Sequence, residues 1–169
     1  NVGLGLELSG MSRVEREPIV ARWLDRVGLS RHGDAYPAQL SGGMKQRVAL
    51  ARALASNPAI ILLDEPFASL DAQTREIMQI DLLQLWEERQ VTALFVTHSV
   101  EEAILLGDRV VVMGAAPQSL REIVVVDLPR PRRDEVRTSA RFMQLRTHLT
   151  GIIREMIVGD PQSPFFRRG

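Results

Sequence analysis

The sequence predicts an α/β fold: a mostly parallel sheet with flanking helices, preceded by a helical subdomain. Three observations carry that reading. Ile60–Leu63 and Val91–Val96 are apolar runs of strand length, separated by a helical pattern from about Ala72 to Arg89. The first run does not alternate, so both of its faces are expected to be buried, as in a parallel sheet covered by helices. Each run ends in polar chemistry, Asp64-Glu65 and Thr97-His98, at the carboxyl edge where open α/β sheets place their ligands.

Composition bounds the function. The 169 residues suit one domain, and 45% hydrophobic with 25% charged residues is enough for a real core. A formal net charge of +0 gives no global attraction to nucleic acid or anionic lipid. With no cysteine, a disulfide frame and a thiolate metal site are excluded. No apolar run reaches the roughly 18 residues of a membrane span. No basic-then-apolar signal stretch opens the sequence. A soluble, cytoplasmic chain is expected, one that works at a membrane only by docking on another protein.

Asn1 to Gly10 is apolar and Gly-spaced, and reads as a helix or turn. Gly5 to Ser12 fits the phosphate-loop pattern G-x-x-x-x-G-K-S/T except at Met11, where the phosphate-binding Lys belongs. No strand precedes it, and Glu7 would point a negative charge into the cradle, so a phosphate loop here is rejected. Ser12 and Glu15 are spaced as a capping box, while Pro18 offers an alternative helix start. Val20, Trp23, Leu24 and Val27 then fall at helical spacing, with Trp23 in the core and Gly28 as terminator. Ser30 to Gln39 reads as an irregular polar linker, with His32 solvated.

Ser41 is a natural N-cap for a helix from Gly42 to Ser56, which Pro58 stops. Two glycines at a helix start let a phosphate approach unpaired backbone N–H groups and a positive dipole end. Asp64 and Glu65 suit Mg²⁺ and water activation. Asp71 reads as the N-cap of the next helix, with Ile77, Ile80, Leu83 and Leu85 on its apolar face. Glu101–Leu106 is a short helix. Arg109–Met113 and Arg121–Val126 form a hairpin through a turn at Gly114-Ala115-Ala116-Pro117. Leu128 to Arg133 is a basic, Pro-broken run; without aromatic interleaving it reads as a solvated connector and not as a nucleic-acid patch. From Ser139 an amphipathic helix carries Phe142, Leu145, Leu149, Ile152, Ile153 and Met156 on one face, for core docking. Gly159 to Gly169 is expected to fray.

Taken jointly, Leu40-Ser41-Gly42-Gly43-Met44 with Lys45-Gln46-Arg47, then Asp64-Glu65-Pro66, Ser69-Leu70-Asp71 and Thr97-His98, resemble the ATP-binding subunits of ABC transporters. The resemblance covers nearly all of Asn1 to Val126. Met44 departs from the commonest signature ending, L-S-G-G-Q. The L-S-G-G-M form followed by K-Q-R resembles the importer subfamily for nitrate, sulfonate and taurine, as does Asp127 to Ile157 less specifically. The resemblance implies a partial P-loop NTPase fold, with residues 1–58 as helical signature subdomain, 59–127 as the carboxyl-terminal part of the ATPase core, and 128–169 as linker and terminal helix.

The resemblance also implies roles. Asp64 would hold Mg²⁺ through water, Glu65 would polarise the attacking water, and His98 would contact the γ-phosphate. Ser41, Gly42, Gly43 and Met44 would face ATP held by a second ATP-binding subunit in a head-to-tail dimer, and Asp71 would speak across that dimer. Membrane permease subunits would be direct partners and a solute-binding protein an indirect one, at the cytoplasmic face of the membrane. A full subunit would begin with a strand, a phosphate loop and a glutamine loop. None is present here, so a fragment is expected, inactive alone, with a sticky edge on Ile60–Leu63 and Leu94–Val96. Two other readings compete: a catalytically silent docking module offering Ser41-Gly42-Gly43 in trans, and an ABC-type DNA-repair ATPase, disfavoured because no sustained heptads occur.

Overall fold

The computed structural model describes residues 1–89, 91–114 and 120–159. They fall into two compact units. The first comprises Asn1–Met78 and Glu88–Val96; the second comprises Gln79–Glu87 and the described part of Thr97–Gly169.

In the first unit, α1 (Leu4–Leu8), α2 (Arg13–Arg26) and α3 (Gly42–Ala55) pack against one another. Because α1 is helical, the stretch from Gly5 forms no phosphate cradle. The capping box decides where α2 starts. Ser12 Oγ accepts from the Glu15 amide, and Glu15 Oε2 accepts from the Ser12 amide at 3.0 Å. Two satisfied donors fix the start at Arg13 and leave Pro18 exposed inside the helix. Gly28, at φ +67°, ends it in the left-handed conformation that glycine adopts most cheaply. Arg47 Nη1 then donates to the Val27 carbonyl at 3.0 Å, tying the polar side of α3 to the end of α2. Trp23 and Leu29 are buried. The linker contains two 3-10 turns, Ser30–His32 and Pro37–Gln39, where irregular chain was expected.

β1 (Ile60–Asp64) pairs in parallel with β2 (Thr92–Val96), in register from Ile60 with Thr92 to Asp64 with Val96. The connection is α4 (Ala72–Arg89), a crossover long enough for parallel pairing. The expected double burial of β1 is overturned. Ile61 and Leu63 are buried, but Leu62 is 71% exposed and its cross-strand partner Leu94 is 60% exposed. Alternate residues point to opposite faces of a strand, so one face of this pair is open and apolar, Ile60 and Val96 included.

The second unit holds the middle of α4, then α5 (Val100–Leu106), β3 (Arg109–Met113), β4 (Leu120–Val125), a 3-10 turn at Asp134–Thr138, and α6 (Ala140–Gly159). β3 and β4 pair antiparallel, as a hairpin should, from Arg109 with Val125 to Met113 with Leu120. The expected turn at Ala115-Ala116-Pro117, and the tail after Gly159, lie outside the described residues. α6 packs on α5 and buries Phe142, Leu145, Leu149 and Ile152. In α4 the buried stripe is Met78, Leu82, Leu85 and Trp86 with Leu83, whereas Ile77 faces outward. Leu83 and Leu85 are therefore buried as expected, while Met78, Leu82 and Trp86, and not Ile77 or Ile80, complete the buried face.

The basic run after Leu128 is exposed at Pro129, Arg130, Pro131 and Arg133, as a solvated connector should be, but Arg132 departs from that expectation. Arg132 is 3% exposed. Its Nη1 donates to the carbonyls of Ile104, Leu105 and Gly107, and its Nη2 to those of Val126 and Leu128. The last carbonyls of any helix lack partners within it, and Arg132 supplies donors at the end of α5. Among the described residues no helix is long and apolar enough to cross a membrane.

Candidate functional site

Asp64 is the last residue of β1 and is exposed, as is Glu65. The Glu65 amide donates to the Val96 carbonyl at 2.9 Å, adding one rung beyond the paired strands. Glu65 then turns at φ +43°, a left-handed conformation that costs a non-glycine residue about 1–2 kcal/mol. Neighbouring contacts hold that turn. Ala68 N donates to the Glu65 carbonyl at 3.1 Å, and Phe67 is buried with its ring centroid 5.8 Å from that of Phe95. Strain of this kind persists only where the surrounding structure holds it, as it does here.

Ser41 and Gly42 are exposed at the start of α3. Ser41 Oγ accepts from the Met44 amide at 3.2 Å. The Met44 N–H is thus committed to the cap, which leaves Gly42 and Gly43 as the helix-start amides without an intrahelical acceptor. The two glycines differ in surroundings. A Cβ on Gly42 would meet nothing within 4 Å, whereas one on Gly43 would meet Leu70 Cδ2 at 3.1 Å. Gly42 faces space a ligand could enter; Gly43 permits close packing of the segment before Asp71.

Sequence reasoning missed Gln46. Its Nε2 donates to the Glu65 carbonyl at 3.4 Å, and its Oε1 accepts from Ser69 Oγ. One side chain thus joins the glycine-led helix, the acid pair and the segment leading to Asp71. Its only trace in the sequence is an uncharged polar residue between Lys45 and Arg47. Asp71 caps α4 by accepting from the Thr74 amide at 2.9 Å. That backbone hydrogen bond, then one with the Thr74 side chain, holds the Asp71 carboxyl below its ordinary value.

His98 belongs to the second unit and is exposed. The turn that carries it is tied by Ser99 N donating to Thr97 Oγ1 at 3.0 Å, and Ser99 Oγ caps α5 by accepting from the Glu102 amide.

Among the described residues no three His, Cys, Asp or Glu side chains converge as a metal cage. Mg²⁺ bound with phosphate needs no such cage, because one or two carboxylates with water and phosphate oxygens suffice. Asp64, an exposed hard-oxygen donor beside Glu65, fits that requirement. The open Gly42 amide at the start of a 14-residue helix fits an anionic phosphate.

Residues 6–68 match the family model described as ABC transporter. An uncharacterized ABC transporter ATP-binding protein of Methanocaldococcus jannaschii is 51% identical over 158 residues, covering 94% of this chain and 58% of that protein. A nitrate import ATP-binding protein of Synechocystis is 39% identical, covering 91% of the chain and 60% of its own length. A bicarbonate transport ATP-binding protein of Synechococcus elongatus is 50% identical over 79% of the chain and 20% of its own length. Among solved structures, a dimeric ATP-binding cassette bound to ADP and Pi superposes with a TM-score of 0.60 at 37% identity, over 70% of this chain and 50% of that one. The chain therefore spans about three-fifths or less of the length of these relatives. With its motifs at a strand tip and a helix start, and with these relatives, the chain belongs to the ABC transporter ATP-binding protein family.

Proposed function

We propose that this chain is part of the ATP-binding and hydrolysing subunit of an importer for nitrate, sulfonate, taurine or a similar small anion. The observation that carries the proposal is the exposure of both halves of the chemistry: Asp64 and Glu65 at the carboxyl edge of a parallel pair, and Ser41 with Gly42 at an open helix start. Relatives named for nitrate import and bicarbonate transport support a small anion as cargo. Asp64 would hold Mg²⁺, and Glu65 would take a proton from the attacking water. His98 bonds the terminal phosphate, and the Gly42 and Gly43 amides with Ser41 meet the phosphate held by a second subunit. Asp71 faces that subunit. Mg²⁺, when bound, neutralises charge on the β- and γ-phosphates. Each ATP then lies between two head-to-tail protomers, so binding favours the closed pair and hydrolysis releases it. Membrane permease subunits receive the motion at the cytoplasmic face, and a solute-binding protein delivers the anion.

The test is Mg-ATP turnover and complex size, for the chain alone and mixed with a full-length homologous cassette. The chain alone is expected to be silent, since it carries no complete phosphate loop, and the mixture is expected to change in rate or size. A mixture identical to the cassette by itself would sink the role of Ser41–Gly43. Turnover by the chain alone that disappears in Glu65→Gln would overturn its expected silence.

A further inference from the structure

The second unit contains a buried polar relay that the proposed chemistry does not use. Thr97 Oγ1 donates to Glu102 Oε2 at 2.6 Å. Gln79 Nε2 donates to Glu102 Oε1 at 3.1 Å. Arg137 Nη2 donates to Gln79 Oε1 at 2.6 Å. Gln79 and Glu102 are both buried. Burying a carboxylate is costly unless hydrogen bonds compensate it, so a buried Glu with both oxygens engaged specifies one arrangement of its neighbours.

The two ends of the relay matter. At one end, Thr97 is the residue before His98, and its Oγ1 also accepts from the Ser99 amide, closing the turn around the histidine. At the other end, Arg137 sits in the 3-10 turn Asp134–Thr138, between the basic run and α6. Asp134 Oδ1 fixes the Arg137 guanidinium at 2.8 Å. Four side chains therefore connect the histidine turn to a segment about forty residues further along.

We propose that Arg137, Gln79 and Glu102 are positioning residues for His98, and that the 134–138 segment is a latch through which the carboxyl-terminal part sets the histidine turn. The importance of His98 rests on the ATPase reading; the latch itself is a property of this chain's conformation. A partner or modification that draws Arg137 away would loosen the turn, and with it His98, without itself contacting the nucleotide.

The test is NMR on the chain as it stands: the imidazole ¹⁵N signals of His98 and hydrogen exchange of the Ser99 amide. Arg137→Met is expected to shift the His98 signals and to speed Ser99 exchange roughly tenfold, the loss expected for a charge-assisted bond in a relay. Arg137→Lys, which retains a cationic donor, should restore part of the protection. Arg141→Met, which removes an exposed pair with Asp127 at 2.7 Å, should leave both readouts unchanged. If Arg137→Met fails to fold, Gln79→Met breaks the link between Arg137 and Glu102 while leaving the Thr97 acceptor of the Ser99 amide in place, and should speed Ser99 exchange alike; wild-type exchange in folded Gln79→Met would equally overturn the proposal. Wild-type His98 signals and Ser99 exchange in folded Arg137→Met overturn the proposal, as does an equal response in Arg141→Met. No nucleotide enters these measurements, so failure of the latch and failure of the ATPase reading are separable.

Discussion

Arg130 and Arg132 stand two residues apart in one basic run, yet their replacements should differ several-fold in cost. The Arg132 side chain is 1% exposed and donates to five carbonyls, the shortest bond being 2.6 Å to Gly107. The others, at 3.2–3.3 Å, share the same two nitrogens and do not add independently. Counted as two charge-assisted donors at about 1.5–3 kcal/mol each, the loss is about 3–6 kcal/mol. Burial, then the charge of Arg130, pulls the Arg132 pKa down, and Asp108 opposes them. Removing that buried charge returns part of the loss, so Arg132→Met should cost about 3–4 kcal/mol. The Arg130 side chain is 31% exposed and pairs with Asp108, itself 72% exposed, at 2.8 Å. A pair that open is worth about 1 kcal/mol or less. Urea unfolding followed by Trp86 fluorescence in a Trp23→Phe background would read both in the second unit. Equal destabilisation by Arg130→Met and Arg132→Met would refute the reasoning.

Four further outcomes are expected. Glu65→Gly should be about 1 kcal/mol more stable than Glu65→Ala in thermal unfolding, because glycine relieves the left-handed strain at φ +43° and alanine does not. Ser41→Ala should cost about 1 kcal/mol in urea unfolding by removing the cap on α3. Asp71→Ala should lower the melting temperature at neutral pH. Since the folded carboxyl is held below its ordinary 3.8, its contribution is complete above that value and fades as pH falls through the lower folded pKa, where mutant and wild type should converge. Leu62→Thr, on the open face of β1, should change stability by less than about 0.5 kcal/mol and lower the binding of an apolar dye.

Much of the fold follows from local rules that act over a few residues. Ser12 with Glu15, Ser41 with Met44 and Asp71 with Thr74 are caps closed within one helical turn, so residue type and spacing suffice to place them. The strand runs of β1 and β2 and the buried face of α6 follow from apolar pattern, and the hairpin from two such runs joined by a turn signal, whereas the double burial that suggested parallel pairing did not hold. The acid pair and the glycine-led helix were legible for the same reason: their chemistry lies in contiguous residues. Burial and long-range partners were not legible, because they depend on what lies across space. Leu62 reads like Leu63, and only the layer beside each decides that one is exposed and the other buried. Gly42 reads like Gly43, and only the approach of Leu70 separates them. Arg132 reads as part of a solvated connector, and nothing local marks Gln46 or Arg137; all three became structural ties only where the tertiary fold brought backbone carbonyls or a buried amide within reach of their donors.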